Sequence, residues 1–248
     1  MITIKTKEEI DIMREGGHML AEIMKELMSQ VKPGVSTGDL DRSAEEKIRK
    51  AGTKPAFLNY QGFSRTLCAS LNEEVVHGIP TAKKILKEGD ILTLDLGLIH
   101  EGYYLDMART VLVGEVDEEV VRLVRVCKKA LRLGVKKMRP GITIGDIGNT
   151  IQRFVEDQRF GIVRELCGHG IGKELHEDPQ VPNYGKRHTG VKLEEGMVLC
   201  IEPMITTGDW NVKRLKDGHT FVTRDGSLSA HFEDTIAVTK EGSEVLTK

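Results

Sequence analysis

Four acidic side chains stand at the ends of apolar runs or within them. Asp95 closes LKEGDILTLD, Glu202 closes LEEGMVLCIE, and Asp106 and Glu233 lie in further strand-like runs. If the hairpin after Asp95 folds about His100 and Glu101, Asp95 and Asp106 face each other directly on adjacent strands. Carboxylates buried this close together repel and lose hydration unless one is protonated or a cation lies between them. The set therefore predicts a site for divalent metal, with two ions bridged by carboxylates.

A fifth candidate ligand is His169, in the segment CGHGIG, where small residues allow the backbone to approach a site closely. Four oxygen ligands and one nitrogen suit two divalent ions of Co, Mn, Fe or Zn in a partly open site, rather than structural zinc. The alternative is that each acid is an ordinary surface charge at a strand end. The matched positions of Asp95 and Glu202 argue against it.

Two further histidines, His77 and His176, are each followed by a proline three residues later. A single histidine is more often structural than catalytic. A matched pair close to the predicted ligands favours hydrogen-bond donation to a substrate carbonyl or oxyanion.

The matched positions indicate an internal duplication. Asp95 and Glu202 differ by 107 positions (202 minus 95), as do the prolines of two PG turns, Pro33 and Pro140 (140 minus 33). Leu67-Cys68, His77 and Pro80 match Leu166-Cys167, His176 and Pro179 at an offset of 99 (176 minus 77). Three matched blocks in the same order predict two related halves.

Helical periodicity predicts a helix over 7–30 and another over about 117–138, each halted by a proline turn. After the first turn, Ser36 or Thr37 is the expected N-cap of the next helix. Each half thus has two helices followed by strands. We expect an α+β fold in which residues 1–248 form one domain with a shared sheet flanked by helices.

Bulk properties exclude several function classes. A formal net charge of -2 leaves no net cationic field for nucleic acid, although it does not exclude local basic patches, and no apolar run approaches the roughly 20 residues of a membrane span. The four cysteines form no CxxC pair, and no signal peptide is evident. We expect a soluble cytoplasmic protein with free thiols.

The sequence resembles the type I methionine aminopeptidases of the pita-bread metallopeptidase family. The resemblance is carried by five segments spread over nearly the whole chain: CASLNEEVVHGIP at 68–80, LDLGLIHEGYYLDMART at 94–110, CGHGIGKELHEDPQVPNY at 167–184, GMVLCIEPM at 196–204 and SLSAHFEDTIAV at 227–238. It implies a pita-bread fold, removal of the initiator methionine from peptides and nascent proteins with a small second residue, and transient proximity to the ribosome.

The resemblance also implies roles for individual residues. Asp95 and Asp106 would hold one metal, and Asp106, His169, Glu202 and Glu233 the other, with Asp106 and Glu233 bridging. Metal-activated water would attack the first peptide carbonyl with Glu202 assisting proton transfer, while His77 and His176 orient the peptide. The methionine pocket would consist of Tyr60, Phe63 and Cys68, a lining suited to a thioether.

Two positions depart from the family pattern. Gly97 stands where relatives often carry Thr, which removes a possible hydroxyl near the metal, and His219 stands where many bacterial relatives carry Trp.

Alternative functions are a prolidase or proline-specific aminopeptidase of the same fold, although these normally add a large N-terminal domain, and the type II methionine enzymes, which carry a helical insertion. A pita-bread binding module that has lost its metals is a further alternative, opposed by retention of all five candidate ligands.

Overall fold

The computed structural model describes residues 2–248 and contains four α-helices in that range. They are α1 (Lys7–Gln30), α2 (Thr37–Lys50), α3 (Glu118–Lys137) and α4 (Ile144–Asp157), with a short 3-10 helix at Tyr60–Gly62. Each α-helix buries one face, as its periodic apolar residues require. The predicted helices over 7–30 and 117–138 are confirmed within one residue at each end.

The two halves begin their second helix in the same way. Ser36 caps α2 in a reciprocal capping box with Asp39, and Thr143 caps α4 in a capping box with Asp146. Both residues of the capping box are repeated at an offset of 107 positions (143 minus 36, 146 minus 39). Ser36 is thus the cap, and Thr37 is the first helical residue.

The segments that lead into the strands of Asp95 and Glu202 are anchored by equivalent contacts. Ser36 forms an isolated antiparallel bridge with Ile85, and Thr143 forms one with Lys192, again 107 positions on (192 minus 85). The turn glycines Gly89 and Gly196 have φ angles of 87° and 88°. The duplication read from the sequence therefore extends to hydrogen bonds and backbone conformation.

Fifteen strands occur within residues 2–248, and every ladder between them is antiparallel. The first half contributes β1 (Lys54–Pro55), β2 (Leu67–Leu71), β3 (Glu74–Val76), β4 (Ile91–His100) and β5 (Tyr103–Leu112). The second half contributes β6 (Gly161–Ile162), β7 (Gly168–Gly170), β8 (Glu177–Val181), β9 (Val198–Ile201), β10 (Met204–Thr206), β11 (Val212–Arg214), β12 (Phe221–Thr223), β13 (Ser229–His231), β14 (Asp234–Thr239) and β15 (Gly242–Val245).

The central sheet consists of two hydrogen-bonded parts, one from each half. In the first part β4 pairs with β1, β2 and β5, and the second part has the order β15-β14-β9-β7-β8. The two parts meet where Ala108 of β5 forms a bridge with Glu233. Two three-stranded sheets, β13-β10-β6 and β11-β12-β3, complete the strand pairing, and the second of them pairs β3 with β12 across the halves.

The β4–β5 hairpin turns one residue later than expected. Glu101 and Gly102 form its two-residue turn with φ angles of 48° and 85°, the conformation that a type I′ hairpin turn requires. Asp95 consequently pairs with Ala108, and Asp106 pairs with Gly97. The expectation that Asp95 and Asp106 pair directly is wrong by two residues. A shift of two residues in the pairing register keeps both side chains on the same face of the sheet, so they remain diagonal neighbours.

Helices cover the sheets, and each half has its own core. Helix α1 packs on β4 and β5, and α3 packs on strands of the second half and on α4. One apolar cluster is built mainly from α1, α2, β2, β4 and β5, and another mainly from α3, α4, β9 and β14. The carboxylates lie between these two apolar cores, at the junction of the two parts of the central sheet.

Candidate active site

A cavity of about 410 Å³ opens at this junction and is lined from both halves of the chain. All ten candidate site residues predicted from the sequence contribute to its wall: Tyr60, Phe63, Cys68, His77, Asp95, Asp106, His169, His176, Glu202 and Glu233. Antiparallel pairing brings these distant parts of the chain together.

The first-half carboxylates come from the central hairpin. Asp95 and Asp106 are both buried, and an oxygen of each lies within 4.8 Å of the other and of a Glu233 oxygen. The backbone N–H of Asp106 donates to Thr235 Oγ1 at 3.1 Å, and that hydroxyl donates to the Asp106 carbonyl at 2.7 Å. Asp106 is thus tied to strand β14 of the other half.

The second-half carboxylates stand where strands are interrupted. Glu202 follows β9 directly, and its backbone carbonyl accepts a hydrogen bond from Asn183 Nδ2 at 3.0 Å. Glu233 lies between β13 and β14, and its backbone pairs with Ala108 through Glu233 N–H to Ala108 O at 3.0 Å. These backbone bonds fix both side chains on the cavity wall.

His169, on β7, presents one ring nitrogen to the acidic cluster. Its Nδ1 donates to the Gly170 carbonyl at 2.9 Å, so the lone pair of the neutral ring is on Nε2. Nε2 lies 3.7 Å from Glu202 Oε1. Burial lowers the pKa of His169 to about 3, which keeps the imidazole neutral and able to ligate a cation.

The electrostatics of the cluster favour a cation. Burial raises the pKa of Asp95 to about 7, and burial together with neighbouring carboxylates raises the pKa of Asp106, Glu202 and Glu233 well above the usual range. Within residues 2–248, no hydrogen-bond partner exists for the buried atoms Asp95 Oδ1, Asp106 Oδ1 and Glu233 Oε1. Unpaired buried carboxylate oxygens directed at one another are suitable ligands for a divalent metal.

Three overlapping groups have ligand atoms close enough to share a metal ion. They are Asp95, Asp106 and Glu233; Glu202, His231 and Glu233; and His169, Cys200 and Glu233. Glu233 belongs to all three groups and is 2% exposed. The residues present therefore fit the metal that the sequence predicts, with Glu233 at the centre.

The matched histidines are exposed on the cavity wall rather than buried in the acidic cluster. His176 lies edge-on to His169, with ring centroids 4.4 Å apart, and its Nδ1 is hydrogen-bonded to the Tyr60 hydroxyl at 2.8 Å. His77 stands edge-on to Phe221, at 6.1 Å between ring centroids. Both are available to a molecule in the cavity.

The apolar part of the wall contains Phe63 and Cys68, both buried, together with the half-buried Tyr60. His219 packs edge-on against Phe63 with ring centroids 5.4 Å apart, so this departure from the family pattern lies on the pocket wall. At Gly97, a Cβ atom would stand 2.8 Å from a Phe57 ring carbon. The packing around Gly97 therefore leaves no room for the threonine that relatives carry.

Sequence reasoning missed two residues of the metal-ligand groups, His231 and Cys200. Each precedes a candidate ligand by two positions in a strand-like run, His231 before Glu233 and Cys200 before Glu202. Side chains two apart along a strand lie on the same face, so the period-2 rule could have found both. The other cavity residues not singled out are Phe57, Gln61, Val76, Glu165, Leu166, Cys167, Leu175, Met204, Arg214 and Phe221.

A duplicated α+β fold with buried carboxylates and a neutral imidazole converging on one cavity defines a metal-dependent hydrolase. Residues 11–240 match the sequence profile of metallopeptidase family M24. The chain belongs to this family, whose members use divalent metal.

Relatives that match over the full length of the chain support this assignment. The chain is 48% identical over 247 residues to a methionine aminopeptidase from Clostridium acetobutylicum, covering 100% of this chain and 99% of that protein. The crystal structure of methionine aminopeptidase from Thermotoga maritima superposes with a TM-score of 0.98 at 47% identity, with 100% of both chains covered.

A solved prolidase is more distant. The enzyme from Pyrococcus horikoshii has a TM-score of 0.80 and is 26% identical, and the match covers 99% of this chain but 63% of that one. It therefore has the same fold as this chain and additional residues outside the match.

Proposed function

We propose that the protein is a metal-dependent aminopeptidase that removes methionine from the N-termini of peptides and nascent proteins. The observation that carries this proposal is the end-to-end match to curated methionine aminopeptidases. The cavity supports it, because the ten candidate residues of the expected site all line one space. We also propose that residues 1–248 act as a single pita-bread catalytic domain, since both halves supply the wall.

We propose two divalent ions of Co, Mn, Fe or Zn. Asp95 and Asp106 would hold one, while His169 and Glu202 would hold the other, with Asp106 and Glu233 shared between them. The ions supply the Lewis acidity that activates water and polarises a peptide carbonyl.

The remaining polar residues position the substrate and move its protons. His77 and His176 donate to the carbonyl oxygen of the scissile bond and stabilise the negative charge that develops there. The Tyr60 hydroxyl holds the ring of His176 in place through Nδ1, which leaves Nε2 for the substrate. Glu202 accepts and returns the proton of the attacking water.

The methionine side chain occupies the part of the cavity formed by Tyr60, Phe63 and Cys68. Aromatic rings and a thiol suit a flexible, polarizable thioether. A small second residue is the expected preference, and nascent chains near the ribosome in the cytoplasm are the expected substrates. Among residues 2–248 we find no helix with the length and apolar character that crossing a bilayer requires.

A prolidase or proline-specific aminopeptidase is the second candidate, favoured only by the common fold. Its support is weaker, because the solved prolidase is 26% identical and extends well beyond this chain. A metal-free binding module is opposed by the converging, unpaired carboxylate oxygens. A peptide panel with Met-Gly, Met-Ala and Xaa-Pro N-termini separates the enzymatic candidates directly.

The central test replaces the carboxylate that all three ligand groups contain. Glu233→Gln is expected to lose at least one metal ion per chain and to reduce release of methionine from a Met-Gly peptide more than about 100-fold. Metal analysis and the peptide assay are run on the same samples. Glu195→Gln, at an exposed position next to the turn glycine Gly196, is the matched control and should behave as wild type.

Full metal content in Glu233→Gln would contradict the ligand assignment. A wild-type protein that binds metal but releases no methionine from any peptide in the panel would contradict the enzymatic function itself.

A further inference from the structure

His231 is a buried histidine on the wall of the same cavity, and it is not among the metal ligands that the sequence predicts. It ends strand β13 two residues before Glu233 and is 1% exposed. Its backbone N–H donates to Thr110 Oγ1 at 2.9 Å, and its carbonyl accepts from that hydroxyl at 2.8 Å. Strand pairing with Met204 fixes it from the other side. The ring is therefore held in place by its backbone and burial.

The ring nitrogens of His231 have no hydrogen-bond partner within residues 2–248. Nε2 lies 3.7 Å from Glu202 Oε2 and 3.8 Å from Glu233 Oε2. Both separations are too long for a hydrogen bond. They fall within the span of up to about 4.2 Å allowed between two ligand atoms that each stand about 2.1 Å from one ion.

Glu202 lies between two imidazoles. Its Oε1 is 3.7 Å from His169 Nε2, and its Oε2 is 3.7 Å from His231 Nε2. This buried carboxylate has a neutral ring near each oxygen and is hydrogen-bonded to neither ring. Such spacing is typical of ligands around a cation and differs from that of a hydrogen-bonded network.

We propose that His231 is an additional metal ligand, which binds through Nε2 a divalent cation shared with Glu202 and Glu233. This inference rests on the proposed metal site but not on peptidase activity. A second imidazole changes the donor set from one nitrogen to two, which favours cobalt and zinc over manganese. His231 is thus a determinant of which metal the protein selects.

The competing role for His231 is that of a positioning residue, with Nε2–H donating to a carboxylate after a small shift of the ring. The two roles differ in where the proton is. A ligand ring carries its proton on Nδ1 and none on Nε2, whereas a donor ring carries it on Nε2 and remains outside the coordination sphere.

The experiment counts histidines bound to paramagnetic Co(II) by proton NMR, in protein saturated with cobalt. Each ligated imidazole gives one strongly shifted N–H resonance that disappears in D₂O. Wild type is expected to show two, one from His169 and one from His231. His231→Gln is expected to show one, and His18→Gln, on the exposed side of α1, is the control that keeps both.

A competition measurement supplies the second readout. The preference for zinc over manganese, measured as a ratio of dissociation constants, is expected to fall at least about tenfold in His231→Gln and to stay unchanged in His18→Gln.

Cobalt-loaded wild type with a single shifted N–H resonance overturns the proposal, and this outcome does not depend on any variant folding. An unchanged zinc-to-manganese ratio in folded His231→Gln overturns it as well. Two resonances in a protein that releases no methionine would support His231 ligation while counting against the proposed function.

Discussion

At the scale of the residue, the site concentrates groups that are unfavourable in isolation. Four carboxylates have raised pKa values because they are buried, and several of their oxygens face one another. Groups held in such a state are typical of functional sites, where a ligand compensates for the missing interactions. By contrast, His77 and His176 are exposed to the cavity, where the proposed function would use them as donors to a substrate.

We therefore expect His77→Ala to separate chemistry from metal binding. The variant should retain wild-type metal content while kcat falls by about 10²- to 10³-fold, the effect of losing one donor to a developing oxyanion. The backbone of His77 has φ of 56°, which is strained for alanine, so thermal unfolding is measured in parallel. Metal loss in a folded His77→Ala protein would show that His77 supports the ligands instead.

The sequence was sufficient to predict ten of the residues that line the cavity, the acids and histidines from their types and spacing, and Tyr60, Phe63 and Cys68 from the family resemblance. All ten candidates line it. It was not sufficient to predict the detailed pairing of Asp95 and Asp106, because that depends on which two residues make the hairpin turn. His231 was missed because, unlike His77 and His176, it has no matched histidine in the other half, although its position two residues before Glu233 places both on one face of a strand.

At the scale of the element, the capping boxes show how duplicated local sequence yields duplicated structure. In the second half, hydrogen bonding from the Thr143 hydroxyl to Asp146 lowers the pKa of the carboxyl to about 2. Arg187 and His188 also lie within 4 Å of that carboxylate. The ionised acid is therefore favoured in the folded state over the unfolded chain.

This cap gives a prediction for acid stability. The folded pKa is about 2 and the ordinary value is 3.8, so the stabilisation is complete above about pH 4 and is lost as pH falls toward 2. Asp146→Asn should lower the free energy of unfolding at pH 7 by roughly 1 kcal/mol and flatten its decline between pH 4 and 2. Urea unfolding over this range measures both effects, and an unchanged slope would contradict the assignment.

Gly97 illustrates an element whose packing excludes a side chain. A Cβ atom there would stand 2.8 Å from Phe57 Cε1 and 2.9 Å from Ala56 Cβ. We expect Gly97→Ala to destabilise the protein by about 1 to 3 kcal/mol through overpacking. Gly242→Ala, at a strand residue with open space around it, is the control and should change stability little. Equal melting temperatures for the two variants would refute this account.

The elements themselves were predictable where local patterns are strong. The bounds of α1 and α3 follow from apolar periodicity and proline stops. The separation of β13 from β14 at Phe232 and Glu233 was not predictable from SLSAHFEDTIAV, since that run reads as one continuous strand. The interruption arises from tertiary pairing: β13 pairs with β10, whereas β14 pairs with β9.

At the scale of the whole molecule, two halves with largely separate cores are joined through the site. The bridge from Ala108 to Glu233, the bonds between Asp106 and Thr235, and the β3–β12 pairing connect them. The carboxylates of both halves meet at the same junction, where they repel. A cation held there would link the halves as well as serve the proposed chemistry.

The metal should therefore control the stability of the entire fold. At a concentration about 100 times its dissociation constant, one ion stabilises the folded state by about 2.7 kcal/mol, which corresponds to a rise in melting temperature of about 5 to 10 °C. Metal-stripped Glu233→Gln should melt above metal-stripped wild type, because glutamine removes the cost of burying an ionisable carboxyl beside other carboxylates, yet the variant should gain less on adding Mn²⁺ or Co²⁺. Scanning calorimetry of both proteins with and without metal measures these four values. If metal-stripped Glu233→Gln melts below metal-stripped wild type, Glu233 stabilises the fold even without a cation. The metal would then not act by relieving repulsion between carboxylates at the junction.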